Sequence, residues 1–161
     1  MAFFRKVFDE RAAFNSDITA DHAYIDIMAH NLVRRPWDYD VLVMENLFGD
    51  IVSDLTAALI GGMGVAPSAD LGLKHGVFQP CHGTAPDIAG QGIANPTAML
   101  LSAALMLNWL GDKHDHKKCK TAGRILEEAV QQGYASGNIK SAEFGGSDGT
   151  VAIAETIKKF I

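Results

Sequence analysis

The chain has 161 residues, 48% of them apolar, with 14 basic and 19 acidic side chains and a net charge of −5. That length and composition suit a single compact α/β unit with a real core, while the acidic balance and the lack of any Lys/Arg-dense block argue against nucleic acid or an anionic membrane as partner. No apolar run reaches the ~18 residues of a membrane span, and the start MAFFRKVFDE lacks a signal-peptide pattern, so a cytoplasmic protein is expected.

Taken in chain order, residues 3–14 carry Phe4, Val7, Phe8 and Ala12 at helical spacing and end in the polar turn NSD. ITADHAYID is a modest strand signal. IMAHNLVRRP predicts a short helix stopped before Pro36. YDVLVME is the clearest buried-strand signal, and it leads into NLFGDIVSDLTAALI, a helix closed by Gly61 and Gly62. Strand, helix, strand, helix is a βαβ pattern. Beyond the glycines, VAPSADLG and GVFQPCHG predict short strands. NPTAMLLSAALMLNWLG predicts a long, largely buried helix from near Asn95 to Gly111, with Met99, Leu100, Ala103, Leu107 and Leu110 in the core. An amphipathic helix over roughly 116–133 and a Gly-rich turn, EFGGSDGT, lead to a last helix.

Two stretches carry chemistry. In ENLFGDIVSD, Asp50 and Asp54 stand at i and i+4 on one helix face, where two bare carboxylates repel unless something positive lies between them. Oxygen-only ligation of that kind suits Mg²⁺ or Mn²⁺. Solvated helix-start acids favoured by the helix dipole would give the same pattern. Asp26, in AYID, joins the pair if the two expected strands are neighbours. In CHGTAPDIAGQGIANP, the small residues His82–Gly83–Thr84–Ala85 ahead of a proline offer free backbone N–H groups for a ribose-phosphate, and Asp87 could accept from a ribose 2′-OH and repel a 2′-phosphate. There is no GxGxxG and no GxxxxGK[ST], and an ordinary turn accounts for the composition equally well. DKHDHKK, residues 112–118, reads as a solvated turn rather than a metal cluster, and Cys81 and Cys119 lie too far from any ligand partner for a zinc site or disulfide framework.

These motifs, with GGMGVAPSADLG, HGTAPDIAGQGIANPTAMLLSAALML and FGGSDGT in matching order and spacing, make the chain resemble the C-terminal part of the β-decarboxylating dehydrogenases, which act on isocitrate, homoisocitrate, 3-isopropylmalate and tartrate. SDLTAALIGGMGVAPSADLG looks closest to the isocitrate and homoisocitrate branches. The resemblance implies a partial dehydrogenase-like fold, a mixed sheet flanked by helices, with a metal-site and dimer-helix region over about 1–62 and a nucleotide-loop region over about 63–161. It implies metal ligation by Asp50 and Asp54, with Asp26 contributed across a homodimer interface. It assigns His82, Gly83, Thr84, Ala85, Asp87, Ile88 and Asn95 to the adenosine end of the cofactor, Asp87–Ile88 going with NAD where NADP users tend to carry Lys-Tyr. The reaction implied is hydride transfer from a 2-hydroxy acid to NAD followed by decarboxylation, aided by Mg²⁺ or Mn²⁺. Relatives are about twice as long. The catalytic lysine and tyrosine and the substrate-binding arginines are expected in the half not represented here, so no catalytic residue is assigned and the chain by itself is expected to be inactive. A catalytically incomplete, dimer-forming remnant that binds nucleotide or a subunit partner is the alternative. Gln79, in FQPCHG, stands where relatives usually have Glu.

Overall fold

A computed structural model of the chain describes residues 2–161. These fall into two units, one ending at Leu59 and one running from Ile60 to Ile161.

The first unit is helical. Helix α1 (Ala2–Ala13) holds the irregular segment that follows it through His22, whose Nε2 lies 2.6 Å from Asp9 Oδ1 and whose ring packs on Phe8. Helix α2 (Ile25–Arg34) opens with Asp26 in its first turn, where a carboxylate complements the positive end of the helix. It stops where expected, because Arg35 precedes Pro36 and is driven out of the helical region to φ −154° and ψ 63°. A 3-10 turn, Pro36–Asp38, follows, closed by an Arg35–Asp38 ion pair at 3.1 Å. Helix α3 (Asn46–Leu59) packs on α2, and together they bury Leu32, Val52 and Ala57.

The two strands expected in this unit do not form. Residues 19–24 and 39–45 enter no ladder among the described residues, and Asp26 lies in a helix rather than at a strand end. Val41 and Val43 are 87% and 59% exposed. Strand propensity expresses the fit of a side chain to a pleated, half-buried surface, and this unit supplies no neighbouring strand to make one. The βαβ pattern is therefore absent, although the chain keeps its α/β character through the second unit.

There, β1 (Pro67–Leu71) and β2 (Gly76–Pro80) form an antiparallel pair with Ala69 opposite Phe78. Both strands lie on helix α4 (Thr97–Lys113). At one end of α4, Lys113 Nζ donates to the carbonyls of Leu73 (3.2 Å) and Lys74 (2.5 Å) in the hairpin turn and sits 4.3 Å from the Trp109 ring centroid. Trp109 in turn packs on Phe78. Mid-helix, the buried Ser102 hydroxyl reaches the carbonyl oxygens of Gln79 and Ala98 and accepts from Ser68 N–H. These polar contacts help to fix the hairpin's register on the helix.

Helix α5 (Lys117–Ala135) runs close against α4. A Cβ on Gly123 would overlap Asn108 Oδ1 and lie 3.0 Å from the Ala104 carbonyl oxygen, and one on Gly111 would lie 3.0 Å from Lys120 N. Gly111 was a natural stop signal, yet α4 continues through it to Lys113; its missing side chain serves the approach of α5. The expected core stripe of α4 is only partly realised, since Met99 is exposed while Ala98, Ser102 and Ala104 are buried. The DKHDHKK segment is a turn and cap: Asp112 pairs with Lys120 at 2.5 Å, holding that ammonium above its ordinary pKa, and His116 Nδ1 accepts from Cys119 N–H to start α5. Helix α6 (Thr150–Lys158) completes the unit, and its Ile153 and Ile157 join Ala129, Val130 and Ile139 in the main core.

Candidate functional site

The candidate metal ligands lie in the first unit. With ~3.6 residues per turn, Asp50 and Asp54 occupy one face of α3, one turn apart. Both are exposed. Asp50 Oδ2 accepts from Asn46 Nδ2 at 2.9 Å, and among the described residues no basic side chain pairs with either acid. Two anionic oxygen donors without a protein cation are hard ligands, and their chemistry fits Mg²⁺ or Mn²⁺. Asp26 is also exposed, on α2, with Oδ1 accepting from Ile27 N–H at 2.8 Å. Among the described residues no three His, Cys, Asp or Glu side chains converge to hold a metal. One chain thus offers an open pair of carboxylates, and Asp26 is not brought to them.

The candidate nucleotide loop lies in the second unit and leaves the end of β2 at Cys81. His82 through Asp87 are exposed. His82 Nδ1 lies 2.9 Å from the Gly83 carbonyl oxygen, and a Cβ on Gly83 would meet nothing within 4 Å, so ample room surrounds the backbone there. Ala85 sits at φ 42° and ψ 62°, a left-handed conformation costing a residue with a Cβ about 1–2 kcal/mol. It turns the chain into the 3-10 segment Pro86–Ile88. Gln91 Nε2 donates to the Asp87 carbonyl at 2.8 Å, while no protein group among the described residues bonds to the Asp87 carboxylate. The loop therefore presents that carboxylate to solvent with its backbone held from within. Ile88 is half-buried beneath it.

Asn95, at the loop's exit, is different. It is buried, and its carboxamide is fully engaged: Oδ1 accepts from Thr97 N–H at 3.0 Å, and Nδ2 donates to Tyr134 Oη and to Glu143 Oε2, each at 3.1 Å.

Comparison with known proteins identifies the family of the chain. Residues 1–159 match the family description "Isocitrate/isopropylmalate dehydrogenase". The chain belongs to that family. A 3-isopropylmalate/3-methylmalate dehydrogenase from Methanocaldococcus jannaschii is 45% identical over 97% of this chain and 44% of its own length. A protein named probable isocitrate dehydrogenase [NAD] subunit alpha, mitochondrial, from Caenorhabditis elegans is 48% identical over 89% of this chain and 38% of its own. Among solved structures, isocitrate dehydrogenase from Methylococcus capsulatus superposes with a TM-score of 0.89 at 38% identity, covering 99% of this chain and 45% of that one. The chain thus spans less than half the length of the relatives it matches. Relatives named for both substrates match about equally well, so identity does not choose between the branches.

Within this family member, three polar groups escaped the sequence reading. Tyr134 and Glu143 both reach Asn95, and Thr97 Oγ1 lies 2.9 Å from Tyr134 Oη. Thr97 carries a sequence signal, a polar residue opening an apolar helix, whereas Tyr134 lies just past the predicted end of the amphipathic helix and Glu143 in the Gly-rich turn, where neither stands out.

Proposed function

We propose that the chain is the metal- and nucleotide-binding portion of an NAD-dependent, Mg²⁺- or Mn²⁺-dependent oxidative decarboxylase of a 2-hydroxy acid such as isocitrate, homoisocitrate or 3-isopropylmalate, acting in the cytoplasm. The observation that carries this reading is the exposed, cation-free pair Asp50 and Asp54 on one face of α3 in a member of a dehydrogenase family. A divalent cation bound there would act as a Lewis acid for the oxyanion charge that develops as CO₂ departs. The chain's own groups do the rest. Asp50 and Asp54 supply two hard oxygens, with Asn46 orienting Asp50, and Asp26 of a second copy supplies a third. His82, Gly83, Thr84 and Ala85 offer backbone and space to the adenosine end of NAD, Asp87 takes the ribose hydroxyl and repels a 2′-phosphate, and Ile88 supports the turn beneath it.

A homodimer belongs to this reading. Ile27 and Val33 on α2 and Leu47 and Ile51 on α3 are each more than half exposed, and apolar side chains left in water favour association with a second copy. Among the described residues no helix is long and apolar enough to cross a membrane, and neither nucleic acid nor membrane enters the reading. Calorimetric titration with Mn²⁺ and with NAD tests it. Binding of both is expected. A chain that bound neither would be a structural protein with surface acids, and the proposal would fall.

A further inference from the structure

The segment from Ser141 to Thr150 plays no part in the function proposed above, yet it grips the exit of the nucleotide loop. Thr150 N–H donates to the Gly92 carbonyl at 2.8 Å, and Thr150 Oγ1 donates to the Ala94 carbonyl. One residue further along the loop, Glu143 and Tyr134 take the Asn95 carboxamide. A carboxamide has two N–H donors and one carbonyl oxygen. Here Nδ2 faces two protein oxygens and Oδ1 faces the Thr97 N–H at the start of α4. The opposite flip would set the amide oxygen against the Glu143 carboxylate and the amide N–H against Thr97 N–H, losing both of those bonds, while the Tyr134 hydroxyl can donate or accept in either orientation, so Glu143 and the Thr97 N–H decide the orientation.

We infer that Glu143 and Tyr134 are positioning residues for nucleotide binding: they lock the Asn95 carboxamide from behind, so that the loop's exit and the start of α4 meet the adenosine end of the cofactor as a preset backbone. The inference rests on the reading that the loop from His82 to Asn95 receives NAD. Asn95 then acts through its main chain, its side chain being committed to the protein. The hydrogen bonding along the loop supports this. A Cβ on Gly83, Gly90 or Gly92 would meet no atom within 4 Å, so side-chain packing does not hold the loop; its exit is held instead by hydrogen bonds from Thr150 to the Gly92 and Ala94 carbonyls and by the bonds to the Asn95 carboxamide. Gly64 provides an independent handle. A Cβ there would overlap Glu143 Oε1 and lie 3.2 Å from Asn95 Cβ, so Gly64 is what lets the Glu143 carboxylate reach Asn95 at all.

The test is calorimetric titration of the 161-residue chain with NAD and with AMP, well below the melting temperature, alongside thermal denaturation. Glu143→Ala should weaken both nucleotides by about tenfold, the usual worth of a charge-assisted hydrogen bond. Glu143→Gln should recover most of that, because its amide oxygen still accepts from Asn95 Nδ2. Tyr134→Phe, which keeps the ring on Phe144 and removes only the hydroxyl, should weaken both nucleotides in the same way and decides the matter if Glu143→Ala fails to fold. Gly64→Ala should mimic Glu143→Ala, and the double variant should lose no more than either single one. Variants that melt earlier but bind NAD and AMP as the parent does would overturn the inference, as would additive losses in the double variant. A parent that bound neither nucleotide would instead remove the NAD reading itself.

Discussion

Replacing the Asp50 carboxylate by a carboxamide, Asp50→Asn, should stabilise the chain without metal and cost it stability with metal. The two carboxylates stand one turn apart on α3, and such a like-charged pair destabilises a helix by about 0.2–0.5 kcal/mol. The carboxamide would keep an oxygen where Asp50 Oδ2 now accepts from Asn46, so little else should change. In chelator, the variant should therefore melt about 1 °C above the parent, at roughly 2–4 °C per kcal/mol for a chain of this size. With Mn²⁺ at about a hundred times the parent's dissociation constant, the parent gains about 2.7 kcal/mol, or roughly 5–10 °C. If losing a carboxylate weakens binding about a hundredfold, the variant gains only about 0.4 kcal/mol at the same concentration. The order of the two melting curves thus reverses on adding metal. Trp37 lies in the unit that holds α3 and Trp109 in the other, so Trp37 fluorescence in a Trp109→Phe background follows the relevant transition. Equal upward shifts of parent and variant with Mn²⁺ would show that Asp50 is not a ligand. A variant clearly less stable than the parent in chelator would show that the pair is held by something other than mutual repulsion and solvent.

Cofactor choice should follow the charge at position 87: the parent is expected to bind NAD at least ~100-fold more tightly than NADP, since a like charge beside the 2′-phosphate costs several kcal/mol. Asp87→Lys with Ile88→Tyr should erode or invert that ratio, and equal binding of both cofactors by the parent would refute the role of Asp87. In the core, Ile153→Ala should cost about 2–5 kcal/mol in urea denaturation, because Ile153 on α6 is fully buried against Ala129 and Val130 of α5 and truncation removes that contact and leaves a cavity. Sedimentation at tens of micromolar, roughly where a standard-size interface is populated, should show a dimer or larger, and Leu47→Asp with Ile51→Asp should shift it towards monomer; a parent that is already monomeric would count against the exposed α2 and α3 faces as an interface.

What was legible in the sequence divides along the range of the interactions involved. The six helices were readable because each makes its hydrogen bonds within itself and announces its ends locally: Pro36 stops α2, Gly61 and Gly62 follow α3 with φ of 118° and 114°, and His116 starts α5. The two strands β1 and β2 were readable as short strands, while their antiparallel pairing with each other is seen only in the structure. The segments 19–24 and 39–45 carry a modest and a clear strand signal, but a ladder depends on a partner, and propensity says nothing of whether one is present. Gly111 illustrates the same limit, since a glycine that ends a helix and one that admits a neighbouring helix look identical until the neighbour is known.

The site follows the same division. Asp50 and Asp54 were paired correctly on one face because four residues along a helix is a local relation, and the turn from Ala85 into the 3-10 segment sits at the proline that marked it. The setting of Asn95 could not be read, because Tyr134 and Glu143 lie 39 and 48 residues away and meet it only after α4 and α5 have packed. That packing depends on Gly123, which lets the two helices approach, and the reach of Glu143 depends on Gly64. A buried amide without partners would cost about 1–3 kcal/mol. The partners of Asn95 are therefore a condition for placing it at the loop exit, and any substitution that loosens the α4–α5 contact, Gly123→Ala first among them, should be felt in nucleotide affinity although it lies outside the loop. Such a variant that bound NAD and AMP like the parent would sever helix packing from the loop.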